Sequence, residues 1–163
     1  MIWLVMGVTG CGKTTLGRAL ADRLKIPFYD ADDFHPPKNR EKLLQDQPLT
    51  DADRQPWLED LAVQMPAWDK AGGAVLACSA LKNSYRQILA GSAVAMRVVW
   101  LEISPDQAKE RLMSRKHDLV GKFEKILQGQ FADLEAPRSA VVVPAILPTD
   151  RQVELALAGR NSD

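Results

Sequence analysis

Short apolar runs alternate with amphipathic stretches along the chain, and this alternation predicts its secondary structure. Five runs have the length and composition of buried strands, over residues 2–6, 27–29, 74–78, 96–103 and 140–143. The segments with helical spacing of apolar residues predict helices over 14–24, 37–45, 51–70, 83–89, 106–115, 123–134 and 151–158. We expect the longest helix to bend or break at Pro56 or Pro66. Weak periodicity over 116–122 predicts a loop.

Strands that alternate with helices predict a parallel sheet covered by helices on both faces. Right-handed crossovers then give one doubly wound, three-layer α/β domain over residues 1–163. Ligands in such sheets bind beyond the carboxyl ends of the strands. Because Gly7, Asp30 and Ser79 each directly follow a predicted strand, we expect them to lie on one rim.

A glycine-rich motif lies between the first predicted strand and the first predicted helix. Residues 7–14 read Gly-Val-Thr-Gly-Cys-Gly-Lys-Thr, which fits the phosphate-binding loop (P-loop) pattern G-x-x-x-x-G-K-[ST]. Lys13 is expected to reach the β- and γ-phosphates of ATP, and the Thr14 hydroxyl to bind Mg²⁺. The alternative is a glycine-rich turn with a chance lysine. The predicted nucleotide contacts are Gly7, Val8, Thr9, Gly10, Cys11, Gly12, Lys13, Thr14 and Thr15.

The motif indicates a nucleoside triphosphate but not the reaction, because small-molecule kinases, GTPase switches and motor ATPases share it. The sequence has no Asn-Lys-x-Asp stretch of the kind that specifies a guanine base. Motor ATPases usually exceed 163 residues. A small-molecule kinase is therefore favoured, and a nucleotide-dependent binding or regulatory module is the alternative from another class.

Charge and cysteine content narrow the partners and the compartment. Lys+Arg and Asp+Glu both number 21, so there is no basic excess for a nucleic-acid or membrane surface. No segment reaches the roughly 20 apolar residues of a membrane span, and no signal-peptide pattern is present. Two distant cysteines, Cys11 and Cys78, favour a reducing cytoplasm over a disulfide framework.

Titratable side chains follow the second predicted strand. Asp30 and Asp32 are expected to share one face of an extended backbone. One carboxylate would then hold Mg²⁺ through water, and the other would orient or deprotonate a substrate hydroxyl. Which acid acts as the base is open, and a solvated acidic turn is the alternative. His35 is either a substrate contact or a structural histidine.

Basic residues later in the chain are candidates for binding an anionic acceptor or the transferred phosphoryl group. Arg54 presents a fork that grips a carboxylate, although an Arg–Asp pair at a helix start is the alternative. Lys82 and Arg86 lie one helical turn apart, and function is favoured for both. Arg111 and Arg115 share a helix face and predict cations for the transition state, with an exposed helix edge as the alternative.

Together these segments resemble the gluconate kinases, within the shikimate- and adenylate-kinase-like group. The matching pieces keep the family order and span most of the chain: the P-loop, 28–36, 48–58, 78–86, 111–115 and 130–135. The P-loop is generic. The Asp-x-Asp…His-Pro, Asp-Arg-x-Pro-Trp-Leu and Cys-Ser-Ala-Leu-Lys pieces are far more specific.

The resemblance implies a five-stranded parallel sheet of order 2-3-1-4-5, with a lid around residues 115–130. It implies ATP and Mg²⁺, D-gluconate as acceptor, 6-phosphogluconate as product, and often a homodimer. The positions that match the sugar-acid site are Asp32, His35, Arg54, Lys82, Arg86 and Gln130. Asp30 and Thr14 match positions on the magnesium side of the site, and Arg111 and Arg115 match positions that serve the lid and the nucleotide. The predicted catalytic residues are Lys13, Asp32 and Arg115.

One segment differs from the family pattern. These kinases carry Gly-His-Phe soon after the lid arginine, whereas residues 116–123 read Lys-His-Asp-Leu-Val-Gly-Lys-Phe. Either Lys122 replaces the histidine, or His117 takes its place from a shifted loop. Lysine and histidine differ in charge and reach at neutral pH. The difference therefore bears on the lid and on the acceptor, for which shikimate, another aldonic acid or a nucleotide is the alternative.

Overall fold

The computed structural model describes residues 1–115 and 120–159, except for the side chains of residues 115 and 120–123. The strands are β1 (Ile2–Met6), β2 (Phe28–Asp30), β3 (Ala74–Ala77), β4 (Met96–Glu102) and β5 (Ala140–Pro144). The helices are α1 (Lys13–Leu24), a 3-10 helix (Ala31–Phe34), α2 (Pro37–Leu44), α3 (Asp51–Lys70), α4 (Asn83–Ala90), α5 (Pro105–Arg115), α6 (Val120–Asp133) and α7 (Thr149–Ala158).

The five strands form one parallel sheet in the order β2-β3-β1-β4-β5, which confirms the order that the resemblance implied. In the register of the central strand, Leu4 pairs with Leu76 on one side and with Val98 on the other. Every residue of β1 is buried. Because all strands run the same way, the segments that follow them emerge at one edge of the sheet.

Alternate residues of β1 enter two separate core layers. Ile2, Leu4 and Met6 belong to the cluster that contains buried residues of α3 and α4. Trp3 and Val5 belong to the cluster on the opposite face, with buried residues of α1 and α7. The predicted three-layer α/β architecture is therefore confirmed.

The helix α3 runs without a break from Asp51 to Lys70, so a break at Pro56 or Pro66 is wrong, whereas a bend there stays a prediction. A proline removes one backbone donor from a helix interior. Tertiary packing of an apolar face contributes more to helix stability than such local terms, and α3 buries Leu58 and Leu61 in the core. Within the two described ranges, no helix combines the length and the apolar character needed to cross a membrane.

Two other predictions differ from the observed structure. The helix α6 begins at Val120, so the predicted loop over 116–122 is wrong for its last three residues, and residues 116–119 lie outside the description. The backbone after β2 is a 3-10 helix and not an extended strand. The Asp30 carboxylate caps it by accepting from the Asp32 backbone N–H at 3.0 Å. Local side-chain bonding of this kind competes with extended structure.

Candidate active site

The P-loop joins β1 to α1 at the carboxyl edge of the sheet. Gly12 is the N-cap of α1 and has φ of 100°, a conformation that glycine adopts without steric cost. A Cβ on Gly7 would lie 2.7 Å from the Sγ atom of Cys11 and 3.0 Å from the carbonyl oxygen of Leu101. The glycines therefore permit a closed turn at a helix N-terminus, where backbone N–H groups and the dipole favour a phosphate.

The side chains of the P-loop differ in what they contact. The Nζ atom of Lys13 donates to the carbonyl oxygen of Val8 at 3.1 Å, inside the loop itself. Thr14 and Thr15 are exposed at the start of α1. Cys11 is fully buried, and burial raises the pKa of its thiol although Lys13 and Arg111 act in the opposite direction. The loop thus presents hydroxyls and one primary amine, but not its thiol.

The helix α5 contacts the P-loop through Arg111. One guanidinium nitrogen donates to the carbonyl oxygen of Cys11 at 3.1 Å, and the other donates to the carbonyl oxygen of Ala145, after β5. The structure therefore places Arg111 at the phosphate-binding end of the site. Arg115 ends α5, and its side chain lies outside the described residues, as do His117 and the side chain of Lys122.

Gln130 on α6 bonds to the P-loop residue Thr9 through both atoms of its amide. The amide oxygen accepts from the Thr9 backbone N–H at 2.6 Å, and the amide nitrogen donates to the Thr9 hydroxyl at 3.0 Å. Three residues later on the same helix, an Asp133 oxygen lies 4.0 Å from the Nζ atom of Lys82. The P-loop and the region around Lys82 are therefore connected across about one turn of α6.

Asp32 lies on the 3-10 helix after β2, with 83% of its side chain exposed. Desolvation raises the pKa of its carboxyl, with a smaller contribution from Asp30. The charge of Lys13 acts in the opposite direction, so the carboxyl of Asp32 lies within electrostatic range of the P-loop amine. A carboxyl with a raised pKa beside a phosphate-binding lysine is suited to accepting a proton.

His35 follows the 3-10 helix and stacks on Trp57, with ring centroids 4.1 Å apart and an interplanar angle of 19°. Its side chain is 7% exposed, and its Nε2 atom lies 3.9 Å from an Asp32 oxygen. Burial, followed by the charges of Arg54 and Arg40, lowers the pKa of His35 to about 4. The imidazole is therefore neutral at physiological pH, and it faces the proposed proton acceptor.

A network of charged and polar side chains lies between α3 and α4. The Nζ atom of Lys82 donates to Asp51 at 3.0 Å, and the hydroxyl of Tyr85 donates to the same carboxylate. A guanidinium nitrogen of Arg54 donates to the Tyr85 hydroxyl at 3.2 Å and to the carbonyl oxygen of Leu49 at 2.9 Å. We call Asp51, Arg54, Lys82 and Tyr85 the acceptor cluster. It offers two cations in one place.

Sequence reasoning did not select two members of the acceptor cluster, Asp51 and Tyr85. Both occur within the segments that carry the family resemblance, 48–58 and 78–86. In the structure the main partners of Asp51 are Tyr85 and Lys82. A tyrosine one turn into a helix has no sequence feature that separates a packed ring from a bonded hydroxyl.

Arg86 does not join the acceptor cluster. Its side chain is buried, and its guanidinium donates to the carbonyl oxygens of Ala80 at 2.7 Å, Leu81 at 3.0 Å and Glu135 at 2.8 Å. These bonds connect the loop that carries Lys82 to the end of α6. The bonds of Arg86 therefore support the loop that carries Lys82, and none of them reaches the acceptor cluster.

The oxygen donors at the rim fit a magnesium ion that is held mainly by phosphate and water. Within residues 1–115 and 120–159, no three His, Cys, Asp or Glu side chains form a metal-binding group. Mg²⁺ in phosphotransferases typically uses one or two protein oxygens together with substrate phosphates. The exposed Thr14 hydroxyl and the Asp30 carboxylate are such donors. The arrangement as a whole can bind a polyphosphate, neutralise an anion and accept a proton.

Comparisons with known proteins agree with this chemistry. The sequence model of the shikimate kinase family matches residues 9–135. A gluconokinase of Gluconobacter oxydans (strain 621H) is 44% identical over 135 residues, which cover 82% of this chain and 75% of that protein. A gluconokinase structure from Sinorhizobium meliloti 1021 is 37% identical and superposes with a TM-score of 0.85, covering 96% of this chain and 89% of that one. A sugar kinase structure from Janibacter sp. HTCC2649 is 36% identical, with a TM-score of 0.88 over 98% and 94% of the two chains.

Proposed function

The chain belongs to the gluconokinases, a group within the shikimate kinase family, and we propose that it transfers the γ-phosphoryl group of ATP to a hydroxyl of D-gluconate, giving 6-phosphogluconate. As a member of this family it is a phosphotransferase with ATP as donor and an alcohol group as acceptor. The observation that carries the proposal is the position of α6, which bonds to Thr9 through Gln130 and approaches Lys82 through Asp133. These two contacts bring the P-loop and the acceptor cluster close together, which supports a shared site for phosphoryl donor and acceptor.

On the nucleotide side, the P-loop backbone binds the phosphates and Lys13 exchanges its bond to Val8 for the β- and γ-phosphate oxygens. Arg111 holds the P-loop carbonyl of Cys11 and lies where it can also contact the nucleotide. Arg115, one helical turn further, supplies a cation to the transferred group when the lid around 115–130 closes. A bound Mg²⁺ would be held by Thr14 and, through water, by Asp30, and it would neutralise phosphate charge.

On the acceptor side, Arg54 and Lys82 neutralise the carboxylate of the sugar acid. Without acceptor, Asp51 and Tyr85 occupy these cations, so the incoming carboxylate competes with a carboxylate already present. Asp32 orients the acceptor hydroxyl and takes its proton, and its raised pKa suits that role. Gln130, bonded to Thr9, borders both halves of the site.

The test is ATP consumption with Mg²⁺ in the presence of D-gluconate, shikimate and several other aldonic acids in turn. Strong stimulation by gluconate, with 6-phosphogluconate as product, is expected. Stimulation by a different acid would overturn the proposed acceptor and would direct attention to Lys122 and His117, where the sequence differs from the family pattern. Hydrolysis that no acceptor stimulates would overturn the kinase assignment altogether.

We also propose that the protein is cytoplasmic and that its substrate is a small molecule. The two cysteines are both reduced and buried, as a reducing compartment allows. Association as a homodimer, which the family resemblance implied, stays a prediction that analytical ultracentrifugation would decide. Binding to nucleic acid or to membranes is not part of the proposal, since the net charge is zero.

A further inference from the structure

The hydrogen bonds of Asn39 determine which nitrogen of His35 carries a proton. Asn39 is fully buried on α2, and its Nδ2 atom lies 2.9 Å from the carbonyl oxygen of Asp53 and 3.2 Å from Nδ1 of His35. A carbonyl oxygen only accepts, so the amide must turn its nitrogen and not its oxygen towards Asp53. The same nitrogen then donates to Nδ1 of His35. A neutral imidazole whose Nδ1 accepts carries its proton on Nε2.

The surroundings of the ring keep it in this neutral form. The face of the imidazole is covered by Trp57, and the charges of Arg40 on α2 and Arg54 on α3 act on the ring. Both cations oppose a second proton on the ring. The carboxylate of Asp32 lies 3.9 Å from Nε2, and the pKa of His35 is nevertheless lowered, with burial as the largest cause.

The two ends of the Asn39 amide differ in their partners. Its Oδ1 atom is buried and has no hydrogen-bond partner within the described part of the chain. An unsatisfied buried oxygen is unfavourable for folding. The nitrogen end of the amide, by contrast, bonds both to the carbonyl oxygen of Asp53 on α3 and to Nδ1 of His35.

The Nε2 atom of His35 and the carboxylate of Asp32 lie close to each other. Their separation of 3.9 Å is too long for a direct hydrogen bond. It is short enough for one hydroxyl oxygen to lie about 2.9 Å from both atoms. A hydroxyl in that position would accept from the Nε2–H group and donate its own proton to Asp32. The opposite tautomer could not donate to the oxygen, and its unprotonated Nε2 would compete with Asp32 for the single hydroxyl proton.

We propose that Asn39 is a positioning residue that holds His35 as the neutral Nε2–H tautomer, so that the imidazole donates to the acceptor hydroxyl whose proton passes to Asp32. This proposal rests on the proposed function. In the transfer step the hydroxyl oxygen forms a bond to the γ-phosphorus while the bond from that phosphorus to the β,γ-bridging oxygen breaks. The electron pair leaves with ADP, the hydroxyl proton goes to Asp32, and His35 keeps its proton throughout.

The tautomer can be measured directly, without any assay of activity. The chain has two histidines, so long-range ¹H–¹⁵N correlation of ¹⁵N-labelled protein gives two imidazole patterns, and a His117→Gln variant assigns them. The expected pattern for His35 is a protonated Nε2 and an unprotonated Nδ1, unchanged between about pH 6 and 8. A protonated Nδ1, or two protonated nitrogens at neutral pH, would overturn the proposal.

A matched pair of substitutions tests the donor role. The amide nitrogen of glutamine reaches the position of Nε2, whereas that of asparagine lies near the position of Nδ1, where it would meet the Asn39 donor. We expect His35→Gln to retain about tenfold more turnover with gluconate than His35→Asn, at an unchanged KM for ATP. Equal losses in the two variants would contradict a donor at Nε2, even with the expected tautomer.

The two measurements also separate this proposal from the proposed function. If the wild-type protein phosphorylates no sugar acid, the gluconokinase assignment and the donor role both fail, while the spectrum still decides the tautomer. An Asn39→Asp variant adds a third readout, because a carboxylate at this position would accept from Nδ1. It should raise the pKa of His35 and reverse its tautomer in the same spectrum. No change in the imidazole pattern would contradict the role of Asn39.

Discussion

The P-loop, which forms the phosphate cradle, takes its shape from the backbone, whereas the acceptor cluster takes its shape from polar and charged side chains. In the cradle, the φ of 100° at Gly12 and the missing Cβ of Gly7 define the turn. In the acceptor cluster, Lys82 and Tyr85 both donate hydrogen bonds to the Asp51 carboxylate. The side chain of Lys82 is 27% exposed and that of Asp51 is 65% exposed. The first region is closed and the second is open to water.

This difference indicates how each region contributes to the reaction. A cradle made of backbone groups binds the phosphates of any nucleoside triphosphate in one geometry, and side-chain substitutions change that geometry little. Exposed ion pairs are weak and exchange partners readily, so an acceptor cluster built from them can release Lys82 from Asp51 to a substrate carboxylate. Substitutions in the cradle should therefore affect turnover with every acceptor, and substitutions in the cluster should affect one acceptor's KM.

The largest effect is expected from Lys13→Ala. Its amine makes one bond inside the P-loop, to the carbonyl oxygen of Val8, so the fold should survive its loss. The transferred phosphoryl group would lose a cation, and turnover should fall by at least about 10²–10³-fold. Initial rates at saturating ATP and acceptor measure this. Lys70→Ala is the control, because Lys70 ends α3 at the opposite edge of the sheet. Wild-type turnover in Lys13→Ala would refute the mechanism.

A smaller loss of about 10²-fold in turnover is expected from Asp32→Asn, with the KM for ATP unchanged. The carboxylate form is the active one, so the rate should fall as the pH drops through the pKa of Asp32. Because that pKa is raised, the fall should occur at a higher pH than an exposed aspartate would give. Asp33→Asn, at the neighbouring exposed residue, is the matched control.

Stability should respond to Asp32→Asn in the opposite direction from activity. A raised pKa means that the folded state disfavours the ionised carboxyl more than the unfolded state does. Removing that charge should leave the melting temperature at pH 7 unchanged or higher. A clear drop in melting temperature would indicate that Asp32 has a structural role, and it would weaken its assignment as the base.

The paired substitutions Lys82→Met and Arg86→Met distinguish a residue that binds the acceptor from a residue that supports the fold. Lys82→Met should raise the KM for gluconate about 10- to 100-fold, since a charge-assisted bond is lost, and leave stability nearly unchanged because its ion pair is exposed. Arg86→Met removes the guanidinium from three carbonyl oxygens, of which that of Leu81 keeps the backbone N–H of Glu135. It should lower stability by about 2–3 kcal/mol, or roughly 5–10 °C in melting temperature. The reverse pattern would place Arg86 in the acceptor pocket.

Most of the fold could be predicted from the sequence because its signals are local. The apolar runs of β1 and β4, and the P-loop between a strand and a helix, need no tertiary information. The course of the backbone after β2 could not be predicted, because the capping bond from Asp30 to the Asp32 N–H is a competing local choice. The unbroken α3 reflects packing of its buried face, which two prolines in the sequence do not reveal.

The site was predicted unevenly for a related reason. Residue type marks Lys13, Asp32 and Arg54 as chemically capable, and the structure gives each of them a polar environment at the rim. Type and spacing alone do not distinguish Arg86 from Lys82, although one is buried against carbonyl oxygens and the other is partly exposed. Such distinctions depend on which carbonyl groups the fold brings nearby, and that is decided by tertiary structure.

The smallest effect is expected at Cys11, where the closed cradle should protect a thiol that its sequence position suggests is reactive. A helix N-terminus ordinarily lowers a thiol pKa and favours oxidation. Here burial raises the pKa of Cys11, and burial raises that of Cys78 to about 12. In native protein at pH 7, neither thiol should react with a disulfide reagent over minutes, and both should react after unfolding in guanidinium. Rapid labelling of one native thiol, slowed by ATP, would mean that the cradle opens to solvent, and the contrast between a closed cradle and an open acceptor cluster would then fail.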